Sequence, residues 1–436
     1  MATGGATSGA VARAGHGPIL AAMRTIRRLL LLIAFSAMLV LCFLDLESPG
    51  DYTGFVAFGQ AANDGALAYD PAVQARYMEG GHHWATWPPG FVPLASGLAV
   101  LDGIAHAPAV ITFQLLNLAM LALVLLVIVE WLTGRRVALP GAAAGPEDGI
   151  AWDASVIAVA LLVPIRLVVN NFEHAQVNLV VLGLVVLGFR LLERRPLAGG
   201  LLFGLGSAIK ATPILLLPYL AWRARGRAFG AAALGALVGW VALPALVLGP
   251  EGAVTWWRAW IEALPLAGAQ EGWMNQSLRS MAVLHLGADA GFTAWLVGTV
   301  ALAGAILLAF GRPFRAVEPR RTAAEVAVLL VAITIVSPVA WKAHYVTLVP
   351  LCAAIFVFVR EVGGAPRRLA FGSLVVAFAG ISLTPSDLIG RTPSVVFQRY
   401  GIVLMMALLL VVAALVLLRT AADSASSDSA PADSTL

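Results

Sequence analysis

Apolar runs of about 18 residues or more recur along nearly the whole chain, separated by short polar connections. As a helix, a run of that length crosses a hydrocarbon core of roughly 30 Å, so the pattern predicts membrane-spanning helices. Spans are expected near residues 27–45, 108–131, 152–169, 177–190, 197–209, 211–222, 228–249, 291–311, 324–339, 345–360, 368–385 and 400–419. The expected fold is all-α, a polytopic transmembrane helical bundle of about 12 spans. Residues 1–23 and 420–436 hold mostly small and polar side chains. They bury too little apolar surface to fold, and read as disordered cytoplasmic tails around a membrane-embedded domain at 24–419.

Charge orients this bundle. With the N-terminus in the cytoplasm, the inside connections hold Arg135/Arg136, Arg190/Arg194/Arg195, Arg223/Arg225/Arg227, Arg312/Arg315/Arg320/Arg321, Arg360/Arg367/Arg368 and Arg419. That is the positive-inside pattern of a multi-pass protein in a bacterial plasma membrane, with both termini cytoplasmic. It also accounts for the net charge of +4 without a nucleic-acid partner. A full crossing at 90–101 would invert the next cluster, so a re-entrant segment packed on protein is expected there. Cys42 and Cys352 both fall inside apolar runs, which argues for inert thiols and against a disulfide or zinc site.

The other face gathers the chemistry. Outside lie loop 46–89, turn 170–176, a hairpin tip at Lys210, loop 250–290, segment 337–344 and loop 386–399. Both lysines, Lys210 and Lys342, fall there with His82, His83, His106, His174, His285 and His344. Tryptophans on this side suit an interfacial belt. Ionisable groups at membrane depth are costly, and so point to function.

Asp51 opens a weakly amphipathic stretch suited to a helix on the outer surface, with Phe55 and Phe58 against Gln60, Asn63 and Asp64. A carboxylate there serves either as general base for an acceptor hydroxyl or as a plain N-cap; Asp45 and Glu47 are weaker candidates. Trp84, Trp87 and the Pro88-Pro89 pair read as a rigid turn. Asn170-Asn171-Phe172-Glu173-His174-Ala175-Gln176-Val177-Asn178 is more polar than a helix-capping turn requires, which makes Glu173 and Gln176 candidate ligand contacts. Lys210 suits a phosphate as a point charge, or simply snorkels. Asn275-Gln276-Ser277-Leu278-Arg279 offers Arg279 for bidentate phosphate binding. In Ser337-Pro338-Val339-Ala340-Trp341-Lys342-Ala343-His344-Tyr345, Pro338 breaks the helix. Lys342 and His344 then face an anionic leaving group. No phosphate-binding loop, dinucleotide fingerprint or metal-ligand spacing is present, so neither metal nor cofactor is expected.

Taken together these segments resemble glycosyltransferase family 87, the relatives of polyprenyl-phosphate-mannose-dependent α-mannosyltransferases. The resemblance runs from about Asp45 to Pro350. It rests on Asp51 to Tyr69 with Gly65, Glu173-His174-Ala175-Gln176-Val177-Asn178, Ala208-Ile209-Lys210-Ala211-Thr212-Pro213, Asn275-Gln276-Ser277 and the Ser337-to-Tyr345 segment. It implies a C-type glycosyltransferase fold, an extracytoplasmic active site and inverting transfer from a polyprenyl-phosphate sugar, most simply mannose, to a lipid or glycan acceptor. It also implies Asp51 as base and Lys210 and His344 at the donor phosphate; Tyr69, Asn275, Gln176, Glu173, Lys342 and Arg279 complete the expected substrate-binding residues. Two positions depart from the family pattern: Ala175 stands where Gly is common, and Lys342 where an acidic residue or His is common. The rival from another class is a transporter or lipid flippase, which requires internal repeats and ionisable residues near the midplane. A third reading, a non-catalytic subunit of an envelope-assembly complex, requires no cavity beside Asp51.

Overall fold

The computed structural model of the chain describes residues 50–77, 87–134, 149–268, 272–314 and 317–427, with positions 36, 37, 39, 40 and 46. Among these residues every regular element is helical. The chain enters through α1 (Asp51–Asn63) and α2 (Pro71–Tyr77), and a 3-10 turn at Pro89–Phe91 leads into α3 (Val92–Ile104). The long α4 (His106–Thr133) follows, then the bent pair α5 (Gly149–Leu162) and α6 (Ile165–Glu173). Next come α7 (Asn178–Leu192) and α8 (Pro196–Ile209), packed as a hairpin. Past Lys210, a 3-10 turn (Thr212–Leu216) opens α9 (Leu217–Trp222), and α10 (Gly226–Leu237) joins α11 (Leu243–Gly268) through a π turn. Then come α12 (Leu278–Leu286), α13 (Ala288–Phe310) and α14 (Pro319–Val336). A 3-10 turn at Lys342–Thr347 opens α15 (Leu348–Phe358), followed by α16 (Gly364–Ser382), α17 (Ser386–Ile389), α18 (Arg391–Arg399) and α19 (Ile402–Ser427).

The all-helical class agrees with the hydropathy pattern; the span count does not follow helix for helix. Among the described residues four stretches are long and apolar enough to cross a bilayer: His106–Thr133, Gly226–Leu264, Ala288–Phe310 and Ile402–Ala421. The pair α5–α6, bent by 65°, makes a fifth if taken as one broken span. The reason is length. With 15, 14 and 11 residues, α7, α8 and α15 rise only about 22, 21 and 16 Å. Pro164, which lacks a donor N–H, sits at the α5–α6 bend. The first expected span and the N-terminal tail lie largely outside the described residues.

One expected loop is largely helical, and one expected helix is more deeply packed than its pattern suggests. The connection expected at 250–290 is taken up as far as Gly268 by α11, whose one non-helical residue is Gly249. The helix is α1, amphipathic as expected: Tyr52, Phe55, Phe58 and Ala61 are fully buried within the protein, leaving Gln60, Asn63 and Asp64 outward. Phe55 and Phe58 meet Trp87 and Phe91 edge-on or tilted, at centroid distances of 5.0–5.9 Å, so Trp87 belongs to the core.

What fixes α8 is the absence of side chains. A Cβ on Gly200 would lie 2.1 Å from the Ala231 carbonyl oxygen, and one on Gly235 would lie 1.8 Å from that of Gly200. A Cβ on Gly204 would lie 2.0 Å from the Gly235 backbone, and one on Gly199 would lie 2.6 Å from the Gly188 carbonyl oxygen on α7. Small residues four apart let helix backbones touch, the usual packing device where lipid supplies no hydrophobic drive. The helix that ends at Lys210 is therefore held backbone to backbone on two sides.

Candidate active site

A partly open cavity lies between α7, α14 and the two 3-10 turns at Thr212–Leu216 and Lys342–Thr347. Its polar end is formed by Asn178, Lys210, Thr212, Ser337 and His344. Farther along the helices Val181, Leu182 and Val185 of α7 join Leu330 and Ile333 of α14, with Thr334 and Thr347, so the lining passes from polar to mostly apolar. That suits a ligand with an anionic head and a hydrocarbon tail.

From the polar end a hydrogen-bond relay leads to Asp51. Lys210 Nζ donates to Asn178 Oδ1 at 2.6 Å, Asn178 Nδ2 donates to Gln176 Oε1 at 3.3 Å, and Gln176 Nε2 donates to the Asp51 carboxylate. An ammonium has donors only, so it fixes which way the Asn178 amide points. Asn178 in turn fixes Gln176, and the relay arrives at Asp51 as a donor, the arrangement an ionised carboxylate accepts. Lys210 stands in the two-residue break after α8, outside either helix. Burial pulls its ammonium down to about 7, opposed by the Asp51 charge. The His344 ring is set by Trp341, whose backbone N–H donates to Nδ1 at 2.9 Å. With Nδ1 as acceptor, the neutral ring carries its proton on Nε2 and is a donor there.

Asp51 is seated by the turn after α6. Its own N–H donates to the His174 carbonyl at 3.0 Å. Gly50, at φ +57, passes so close that a Cβ would lie 2.8 Å from His174 Cα. Across that contact Ala175 adopts φ +41, a conformation that favours glycine. Strain of about 1–2 kcal/mol at Ala175 is offset in part by a fully buried methyl worth about 0.8 kcal/mol, which explains why the departure from Gly is tolerated.

The remaining sequence candidates divide. Lys342 does not line the cavity, although it is two residues from His344; its turn packs against α6, and Arg166, Glu173 and Asp387 are the charges that act on it. Glu173 belongs to that same cluster, 3.4 Å from Arg166. Asn275 ties its own loop to the segment after α14: its Oδ1 accepts from Ala340 N at 2.9 Å and its Nδ2 donates to the Pro338 carbonyl at 3.1 Å. Arg279 lies over the Trp295 ring at 6.0 Å, between α12 and α13. Tyr69 is buried and donates to the Trp87 carbonyl at 2.6 Å. The structure thus joins Asp51, Gln176, Lys210 and His344 at one site and leaves Asn275, Arg279 and Tyr69 in packing roles around it. Sequence reasoning missed Asn178 as the central link and Thr212 as a lining hydroxyl. The signal for the first was an amide opening an otherwise apolar helix. Asp45, Glu47, His82, His83 and Trp84 lie outside the described residues.

Residues 85–338 match the model of glycosyltransferase family 87. A Mycobacterium tuberculosis protein named polyprenol-phosphate-mannose-dependent alpha-(1-2)-phosphatidylinositol mannoside mannosyltransferase is 31% identical over 311 residues, 70% of this chain and 68% of that protein. This chain belongs to glycosyltransferase family 87. It is a membrane glycosyltransferase. The Mycolicibacterium smegmatis protein of the same name is 29% identical over 242 residues, 54% of this chain and 52% of that one. Among solved structures, ArnT from Cupriavidus metallidurans bound to undecaprenyl phosphate aligns with 91% of this chain and 79% of its own, at 13% identity and a TM-score of 0.39. The family match includes Gln176, Asn178, Lys210 and Ser337 of the cavity and relay, and stops just short of His344.

Proposed function

We propose that this family 87 enzyme moves a mannosyl group from a polyprenyl-phosphate-mannose donor to an acceptor hydroxyl on the extracytoplasmic side of the membrane, with inversion. The observation that carries the reading is the cavity itself, cationic and hydrogen-bonding at its polar end, mostly apolar beyond it, and wired to Asp51 through Asn178 and Gln176. The polyprenyl chain occupies the slot between α7 and α14, and the phosphate meets Lys210, Thr212 and the His344 Nε2–H. The acceptor oxygen attacks the anomeric carbon from the face opposite the phosphate. Its proton passes to the Asp51 carboxylate as the C–O bond to phosphate breaks, and the electron pair leaves with the polyprenyl phosphate. Stabilising the developing phosphate charge is the largest single contribution expected of the protein. Phosphate leaves without an acid, so one carboxylate suffices. The names of the mycobacterial relatives support mannose as the sugar and a mannoside as acceptor.

Sugar transfer by purified protein from polyprenyl-phosphate-mannose to a phosphatidylinositol mannoside tests this directly. Asp51→Asn keeps the relay's hydrogen bond but removes the base, so transfer is expected to fall about a thousandfold with donor binding kept. Transfer that survives the substitution would reassign the base.

A further inference from the structure

We propose that the outward face of α6, with Lys342 and Asp387 set against it, is the acceptor subsite and that it takes a neutral sugar ring. The inference rests on the transfer reaction above. Arg166, Asn170, Glu173 and His174 fall at i, i+4, i+7 and i+8, one face of α6, while Leu167, Val168, Asn171 and Phe172 are buried on the other. This is the second half of a helix pair broken by 65° at a buried Val163-Pro164 step. Arg166 reaches Asp387 at 3.0 Å and Glu173 at 3.4 Å, yet the three side chains remain 30–55% exposed. Lys342 completes the cluster electrostatically.

Two cations and two carboxylates sum to no net charge, so the face offers little draw to a phosphate. It does offer strong donors beside strong acceptors, which is what hydroxyls, being both, require. Its position fits the chemistry. His174 accepts the Asp51 N–H, so the polar face ends beside the base. The 3-10 turn at Lys342–Thr347 stands between the two substrates: it packs against α6, while His344 lines the cavity with Lys210.

The test uses full-length protein in detergent, with methyl α-mannoside as acceptor probe and polyprenyl-phosphate-mannose as donor. Glu173→Gln and Asp387→Asn are each expected to raise the acceptor KM about tenfold, leaving the donor KM and the melting temperature unchanged. A purely structural cluster predicts a lower melting temperature in these variants, whereas a sugar subsite predicts the higher acceptor KM at an unchanged one. Saturation-transfer NMR of methyl α-mannoside without donor gives a second readout. Binding that is present in wild type and lost in the variants, with no transfer by any of them, supports the subsite and overturns the mannosyl-transfer reading. Transfer with an unchanged acceptor KM in both variants overturns the subsite and leaves the reaction standing. A wild type that neither binds nor glycosylates the probe also overturns the subsite.

Discussion

The two ends of α14 handle charge in opposite ways. Near its start Glu325, fully buried, accepts from Arg223 Nε at 2.9 Å, Tyr219 Oη at 2.9 Å and Arg321 Nε at 3.0 Å, with a further bond from Arg223 Nη2. Arg223 spends its other donors on the Phe310 and Arg312 carbonyls. Each guanidinium nitrogen of Arg223 has an acceptor within the protein. Near its other end α14 lines the cavity, where Lys210 donates one hydrogen bond among the described residues, to Asn178. An ammonium carries three donors. The saturated cluster holds helices together; the unsaturated cation is ready for a partner from outside.

That contrast can be broken from either side. The largest expected effect is on stability. Glu325→Gln leaves Arg223 buried without its counter-charge and is expected to cost about 3 kcal/mol, read as a lower melting temperature in detergent, while the surviving folded enzyme keeps its donor KM. Lys210→Met should do the reverse. Transfer is expected to drop about a hundredfold with an unchanged or higher melting temperature, since a partly buried charge is removed with little lost packing. A variant that lost stability as Glu325→Gln does would show Lys210 to be structural. The smallest effect sharpens the comparison by pH. Because Lys210 has a lowered pKa near 7, its charged form dominates below that value and fades above it. Donor KM is therefore expected to rise several-fold between about pH 6 and pH 8, and to lose that dependence in Lys210→Met.

The helices were legible because hydropathy is local. Their breaks were partly legible: Pro164 and Pro338 announce themselves, whereas α11 runs on past Gly249 and Pro250 and absorbs an expected loop. The site was legible residue by residue but not as a set. Asp51, Gln176 and Lys210 each stood out in the sequence as polar groups at span ends. Their connection through Asn178 depends on how α7, α8 and the Gly50 contact close in space, and no spacing rule encodes that. Adjacency even misled. Lys342 and His344 read as a pair, but a 3-10 turn advances about 120° per residue, so side chains two apart diverge. Likewise Asn275 looked like a ligand contact because it is polar beside a cation. Its side-chain amide instead stitches the backbone between Pro338 and Ala340.

The glycine seam between α8 and α10 bears on how such an enzyme drifts over generations. Where backbones touch, a methyl has nowhere to go, and the only relief is for α8 to slide. Since Lys210 ends that helix, an alanine at Gly200 or Gly235 would be felt first as a misplaced ammonium, two or more turns from any substrate. The sequence positions least free to vary are thus ones that contribute no side chain at all, and a catalogue of reactive groups would overlook them.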